Sequence, residues 1–427
     1  MKDKIISLLK IIGPGIIFAS LCIGETHLAL LAYSGALYGH AFLWLVVLVH
    51  LVYYPNFEYG PRYAVATGET LVDGYAKIKV GRFLLGVFVL FMFIIPPMIM
   101  SSLLGLSGSV LYAAFPKISF NIWCILLYVI TVGIVLGEKY KVIEQISKFL
   151  VLIIVLVSIV AFLNSLPAPG EFFSGMIPTI PAAAGVMVVF VAILRVPTDP
   201  ASSIFLSEWA QQKRKEWLEG SDSSDAKSAL LTSLKKSIFD IRVGFVLSGL
   251  VAIIFLSIGA TVLKPLGIVP EGIDVSLKLS EIYTQTIGKW IFPAFILMMF
   301  AAFWGGYVSA MDGILRLFKH LIPKVFILED NKNKTLSIIY ILLVTTAGLL
   351  MTTVIQRPMV MVLIAVSLGL INYPLIFGLN IYCVTKLVDK EFRPSKLNLI
   401  LAFIGFIVGV GGFLLLIWVR VISKFIN

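Results

Sequence analysis

Runs of apolar residues long enough to cross the hydrocarbon core of a bilayer as helices recur along the chain. They lie near 11–34, 41–59, 83–114, 119–137, 145–164, 182–209, 238–263, 286–315, 335–355, 358–385 and 398–422. The pattern predicts eleven transmembrane helices and no soluble domain, so residues 1–427 read as a single transmembrane domain. The polar pattern breaks into the apolar runs at two places. In the first span, GPGIIFASLCIGETHLALL puts Gly24, Glu25, Thr26 and His27 at mid-membrane. In the sixth, GVMVVFVAILRVPTDPASSIFLSEW sets Pro197 and Pro200 around Thr198 and Asp199, with Arg195 just before. Two prolines three residues apart remove two amide donors and clash with the preceding turn, which predicts an unwound segment. The breaks are roughly 170 residues apart, at the same place in two consecutive sets of five spans. That is the pattern of an inverted-repeat secondary transporter, whose discontinuous helices face each other at the midplane and hold the substrate there. Repeat one is expected over about 11–164, repeat two over about 182–385, and an extra helix over about 398–422.

Composition agrees: 59% of residues are hydrophobic and 13% charged, outside the range of soluble domains. The net charge of +11 changes the picture only through its placement. With the N-terminus cytosolic, Lys and Arg favour the inside segments by roughly three to one, as the positive-inside rule requires. The expected location is the plasma or inner cell membrane, multi-pass, with the N-terminus cytosolic and the C-terminus external. The basic balance marks sidedness, not a nucleic-acid partner. No charged n-region and small-residue cleavage site precedes the first run, so no removable signal peptide is expected. Cys22, Cys124 and Cys383 lie in apolar stretches and make no disulfide framework or CxxC pair. An enzyme is not expected, because no nucleophile–base pair or metal-ligand cluster stands outside the two breaks, and no GxxxxGK[ST] loop is present. A transporter-like sensor or a channel is the remaining class, although no pore-lining ring element is visible. A monomer is compatible with the reading; the oligomeric state is not legible.

Intramembrane ionisable residues are costly and mark function by default. The expected substrate-binding set is therefore Gly24, Glu25, Thr26, His27, Arg195, Pro197, Thr198, Asp199 and Pro200; the alternative is a structural ion pair between the broken helices. His40 and His50 read as structural. Pro96, Pro97 and Pro374 read as simple kinks. In the eighth span, AAFWGGYVSAMDGILRLF, Ser309 among small residues is the candidate hydroxyl for a coupling ion, with packing as its bland alternative, and Asp312 is placed to pair with Arg316. Asn372 and Tyr373 in the tenth span are placed to line the pathway or bond across the bundle. The connection 210–236 reads as a surface helix plus a flexible stretch, and 264–281 as an external cap.

The opening GPG of the first span, the stretch YPNFEYGPRYAVATGETLVDGY ending at Tyr75, and Val196-Pro197 followed by SSIFLSEW resemble the Nramp (natural resistance-associated macrophage protein) superfamily, in a related bacterial branch. The resemblance implies an all-α integral membrane protein of the LeuT-type fold, two inverted five-helix repeats plus an eleventh helix. Metal-transporting members carry Asp-Pro-Gly-Asn in the first helix and Met-Pro-His in the sixth. This chain reads Gly24-Glu25-Thr26-His27 and Val196-Pro197-Thr198 there, so the thioether is gone and no site of transition-metal type is expected. No Asp or Glu occurs between Phe83 and Ala114, where the resemblance places third-helix acids.

Two substrate classes follow. Exposed amides at the unwound helix ends, with Arg195 and His27 as donors, suit a small anion such as bicarbonate, taken up with Na⁺ or H⁺ bound near Glu25, Asp199 or Ser309. The alternative is a divalent cation such as Mg²⁺ or Mn²⁺, of which Mg²⁺ is commonly held through its water shell by one or two carboxylates. Beyond a possible coupling Na⁺, no cofactor is expected; the partners are the ion and the lipid bilayer.

Overall fold

The computed structural model describes residues 23–137, 153, 155–183, 185–219, 226–326 and 330–419. The GPG stretch, Cys22, the start of the fifth span, residues 220–225 of the long connection and the last eight residues lie outside the described part. Each apolar run is largely helical over its described residues. The first span gives α1 (Glu25–Leu31), a wide π-type turn that passes into α2 (Ala32–Tyr38). The second is α3 (Leu43–Thr67), followed by the short α4 (Leu71–Ala76). The third divides into α5 (Gly81–Met92) and α6 (Ile95–Ala114), the fourth is α7 (Phe120–Leu136), and the described part of the fifth is α8 (Val155–Asn164). After α9 (Pro169–Ser174), the sixth span consists of α10 (Val186–Ile193) and α11 (Ser202–Glu219), separated by eight non-helical residues that include a cis Val196–Pro197 peptide. The seventh is α12 (Ala226–Ile258) running into α13 (Gly259–Leu263), with α14 (Val275–Thr286) beyond it. The eighth and ninth are α15 (Phe292–Val325) and α16 (Asp330–Ile355). The tenth is a bent pair, α17 (Pro358–Gly369) and α18 (Asn372–Lys386), and α19 (Lys396–Ile417) closes the described chain.

Three expectations change in detail. The second span reaches Thr67 rather than 59, continuing through Pro55 and Pro61 before Gly68 ends it at φ 79°. A membrane helix tolerates such prolines when its neighbours pack around them, and here the Asn380 amide also ties α18 to α3 by donating to the Asn56 carbonyl at 3.1 Å. The tenth span breaks at Leu370–Ile371, with a 40° bend, rather than at Pro374. Pro374 lies in the first turn of α18, where backbone N–H groups lack helical partners in any case. Pro96 and Pro97 likewise open α6 after a break at Phe93–Ile94.

The break segments are held in a packed frame. α3 lies along α11 and α12, while α6 lies along α15, α16 and α17. Where α2 crosses the α12–α13 junction the backbones nearly touch: a Cβ on Gly35 would stand 2.1 Å from the Leu256 carbonyl oxygen, and one on Gly259 2.3 Å from that of Ala32. Small residues at a crossing let membrane helices approach this closely. Large apolar side chains such as Leu51, Phe83, Leu90, Val129, Val246, Val354 and Ile407 point outward. An apolar exterior of that extent is a lipid-facing surface.

Candidate functional site

Glu25 opens α1 with Gly24 as the preceding cap, so the first break delivers its carboxylate where the helix begins. Arg195, Thr198 and Asp199 sit in the non-helical segment between α10 and α11. These two breaks meet. Nη1 of Arg195 is 3.7 Å from Glu25 Oε1, and its Nη2 is 3.4 Å from Asp199 Oδ2. Glu25 also accepts a hydrogen bond from the Ser102 hydroxyl of α6. Asp199 Oδ1 accepts the Ala201 amide at 2.9 Å, and both its oxygens accept from the Asn372 side chain at 3.2 and 3.3 Å. Tyr373 donates to the carbonyls of Arg195 and Thr198, each at 3.1 Å, which serves backbone acceptors freed by the break. Gly369, at the end of α17, leaves room for the guanidinium: a Cβ there would lie 2.5 Å from Arg195 Nε.

A cavity of about 260 Å³ adjoins this group. Gly24, Glu25, Thr26, Arg195, Thr198, Asp199 and Ser309 line it, as does Asn372, and it extends along α11 and α15 to Glu208, Gln212 and Arg316. The guanidinium stands between two carboxylates, so the formal charges of the three groups sum to one negative. Two buried atoms here have no hydrogen-bond partner in the structure, the acceptor Asn372 Oδ1 and the donor Arg195 Nε. Buried polar groups are normally satisfied, so both are places for a ligand or water to engage.

Not every expected residue faces the cavity. Pro197 and Pro200 bracket Thr198 and Asp199 without lining it. The structure also turns His27 away from the cavity, a correction to its expected contact with substrate. Its Nε2 lies 3.0 Å from Ser248 Oγ, and the same hydroxyl is 3.2 Å from His50 Nε2. His50 Nδ1 stands 2.8 Å from the Val46 carbonyl, which only accepts, so that nitrogen carries a proton. A neutral His50 then accepts the Ser248 proton at Nε2, and Ser248 accepts from His27 Nε2–H. His27 Nδ1 is left to accept from Thr26, whose Oγ1 is 3.1 Å away. The chain runs in one direction and locks both imidazole tautomers. Ser248→Ala removes its centre and strands two buried ring nitrogens. The expected cost is about 1–3 kcal/mol, read as a lower thermal unfolding midpoint in detergent with substrate affinity unchanged.

Ser102, which reaches Glu25, was not among the expected residues; the Ser101-Ser102 pair inside an apolar run was its available signal. Asp312 pairs with Arg316 at 2.8 Å as its spacing suggested, and both line the outer part of the cavity. Glu58 and Arg62 also pair, and both are buried. Arg62 donates further to the Phe392 carbonyl at 2.7 Å, and Tyr54 and Asn398 donate to Glu58. This network ties α3 to the segment before α19. In the segment between α13 and α14, Glu271 accepts from the Tyr33 hydroxyl at 2.9 Å. Among the described residues, no group of three His, Cys, Asp or Glu side chains converges as a metal-ligand set.

Comparison with known proteins places this arrangement. The fold is similar to that of a manganese transporter from Eremococcus coleocola, solved with an aromatic bis-isothiourea compound, at a TM-score of 0.69 and 14% identity over 96% of this chain and 86% of that one. It is also similar to Mhp1, a nucleobase-cation-symport-1 family transporter solved in a closed conformation with bromovinylhydantoin, at a TM-score of 0.58 and 11% identity, covering 96% and 91%. Both likenesses are of fold, and they match the LeuT-type arrangement that the family resemblance implied. An uncharacterized protein of Pasteurella multocida is 25% identical over 316 residues, 71% of this chain and 69% of its own length. The profile described as natural resistance-associated macrophage protein-like matches residues 15–419, and this multi-pass membrane protein therefore belongs to that family.

Proposed function

We propose that this transporter carries a hard divalent cation of the Mg²⁺ class, moving it through the membrane by secondary transport. The observation that carries the reading is the placement of Arg195 between Glu25 and Asp199, which leaves the site one negative charge in excess. The groups around it are oxygen donors: two carboxylates, the unpartnered Asn372 Oδ1, and the hydroxyls of Thr26, Thr198 and Ser309. Oxygen donors suit Mg²⁺, and a cation held through its water shell needs only one or two carboxylates. The cavity of about 260 Å³ has room for an ion with about six waters at roughly 30 Å³ each. In this reading Ser309 is the hydroxyl nearest in kind to a coupling-ion ligand, and the cavity opens toward the cytosol, the side with the lysine- and arginine-rich connections. The manganese transport of the E. coleocola relative supports a metal cargo.

Na⁺-coupled uptake of bicarbonate is the second reading, and one observation favours it: Arg195 Nε is a buried donor with no partner. Flux into proteoliposomes decides between them. With a Mg²⁺-sensitive dye inside, saturable Mg²⁺ entry is the expected result. Bicarbonate-dependent flux without entry of Mg²⁺ or Mn²⁺ overturns the cation reading.

A further inference from the structure

The far end of the cavity carries a second cluster of ionisable groups, unconnected with the Arg195 site. Glu208 of α11 lines the cavity there. His320 of α15 stands beside it, with Nδ1 3.2 Å from Glu208 Oε1, and turns its other nitrogen, Nε2, to Asp73 Oδ1 of α4 at 3.6 Å. Lys324, one turn further along α15, holds the same Asp73 oxygen at 2.6 Å. The second oxygen of Asp73 accepts from the Thr70 amide and hydroxyl in the cap of α4. Burial works against the Asp73 charge, yet the hydrogen bonds from His320, Lys324 and Thr70 outweigh it and hold this carboxyl well below the usual carboxylate range.

Each ring nitrogen of His320 thus faces a carboxylate. Only a doubly protonated ring can donate from both. A neutral ring turns one bare lone pair toward a carboxylate whichever tautomer it adopts. Asp73 keeps Lys324 in either case, whereas the positive charge that strengthens the Glu208 contact is lost in both tautomers.

That contact spans two helices. α11 is tied to α3 by Gln211 donating to the Gly68 carbonyl at 2.8 Å and Arg214 to that of Val65 at 3.0 Å. α15 packs on α5, α6 and α16, and meets α11 a second time through α4, whose Leu71 amide donates to Ser207 Oγ at 3.0 Å and whose Asp73 holds Lys324. The other charged groups near His320 are few. On its own helix they are Lys319, Lys324, and Arg316, which is paired with Asp312. α5 brings Arg82, α16 begins with Asp330, Lys332 and Lys334, and α6 and α7 contribute no charged residue.

We infer that His320, Glu208 and Asp73 form a proton-controlled latch at this end of the cavity, in which protonated His320 holds α11 against α15 and loss of its proton weakens the hold on Glu208 and loosens α11 from α15. The latch does not depend on which ion the transporter carries.

The test uses the full chain in detergent, without substrate. A cysteine is placed at Ala310, a cavity-lining residue ten positions and about 15 Å along α15 from His320. Its labelling by a small charged thiol reagent is followed by peptide mass mapping. Rates are normalised at each pH to the same cysteine in a His320→Gln background, so that thiol ionisation cancels. The normalised rate is expected to be about tenfold below one at pH ~6, the scale of a lost charged hydrogen bond, and to rise toward one only at pH ~10, because a ring facing two carboxylates keeps its proton beyond the range of a free imidazole. His320→Lys, a permanent cation, should stay slow at both pH values, and Glu208→Gln fast at both. A normalised rate that does not change with pH, or Glu208→Gln labelling as slowly as the parent at pH ~6, overturns the latch. Because no ion is transported in this assay, failure of the cation reading leaves its outcome intact.

Discussion

Glu25→Gln is expected to lower Mg²⁺ affinity by about 10–100-fold, the usual scale for removing a supporting group at a metal site. The substitution keeps the shape of the side chain and an acceptor for the Ser102 hydroxyl, so a folding defect does not explain the loss. It leaves Arg195 paired with Asp199 alone and the site neutral. The sign is the informative part. A cation loses its attraction to a neutral site, whereas a bicarbonate-type anion gains from removal of a negative charge. Arg195→Gln separates the readings from the other side: it leaves two carboxylates, which retains cation binding and abolishes capture of an anion. Titration calorimetry with Mg²⁺ and with bicarbonate on the two variants reads both signs. Tighter bicarbonate binding to the Glu25→Gln protein, with Mg²⁺ binding unchanged, would sink the cation reading.

Arg62→Ala is the substitution with the largest expected effect on stability. Glu58 is completely buried and Arg62 nearly so, and the guanidinium joins Glu58 to the Phe392 carbonyl. Removing it leaves a buried carboxylate with only Tyr54 and Asn398 as donors. Breaking a buried ion pair from one side costs about 3–5 kcal/mol, enough to lower the thermal midpoint clearly and to reduce folded yield. The double variant Glu58→Gln with Arg62→Met removes both charges together and should recover most of the loss. A midpoint for Arg62→Ala within a degree of the parent shows that the network is not needed for stability.

Which parts of this were legible in one dimension follows from the length scale of each signal. The spans were readable because a bilayer imposes about twenty apolar residues on any helix that crosses it. The sixth-span break was readable because Pro197 and Pro200 act on their own turn. The pairing of Asp312 with Arg316 needed only helical spacing. Each of these causes operates within a few residues. The continuation of α3 through Pro61 was not readable, since whether a helix runs on past a proline depends on what packs against it, here α11 and α12 from much later in the chain. The break at Leu370–Ile371 carries no proline of its own, and Pro374 drew attention to the wrong turn.

The site divides in the same way. Sequence alone determined that two polar interruptions occupy matching places in a repeated membrane scaffold, and it named the charged residues they carry. It left the sign of the site open, because Glu25 and Asp199 are separated from each other by 174 positions and a list of charges has no distances. The tertiary structure brought those charges together, setting one guanidinium between two carboxylates. It also decided which way His27 points, since a side chain at the start of a wide turn has several faces open to it and Ser248 of α12 supplies the partner. Covalent order sets what a residue can donate or accept; only packing sets what stands across from it.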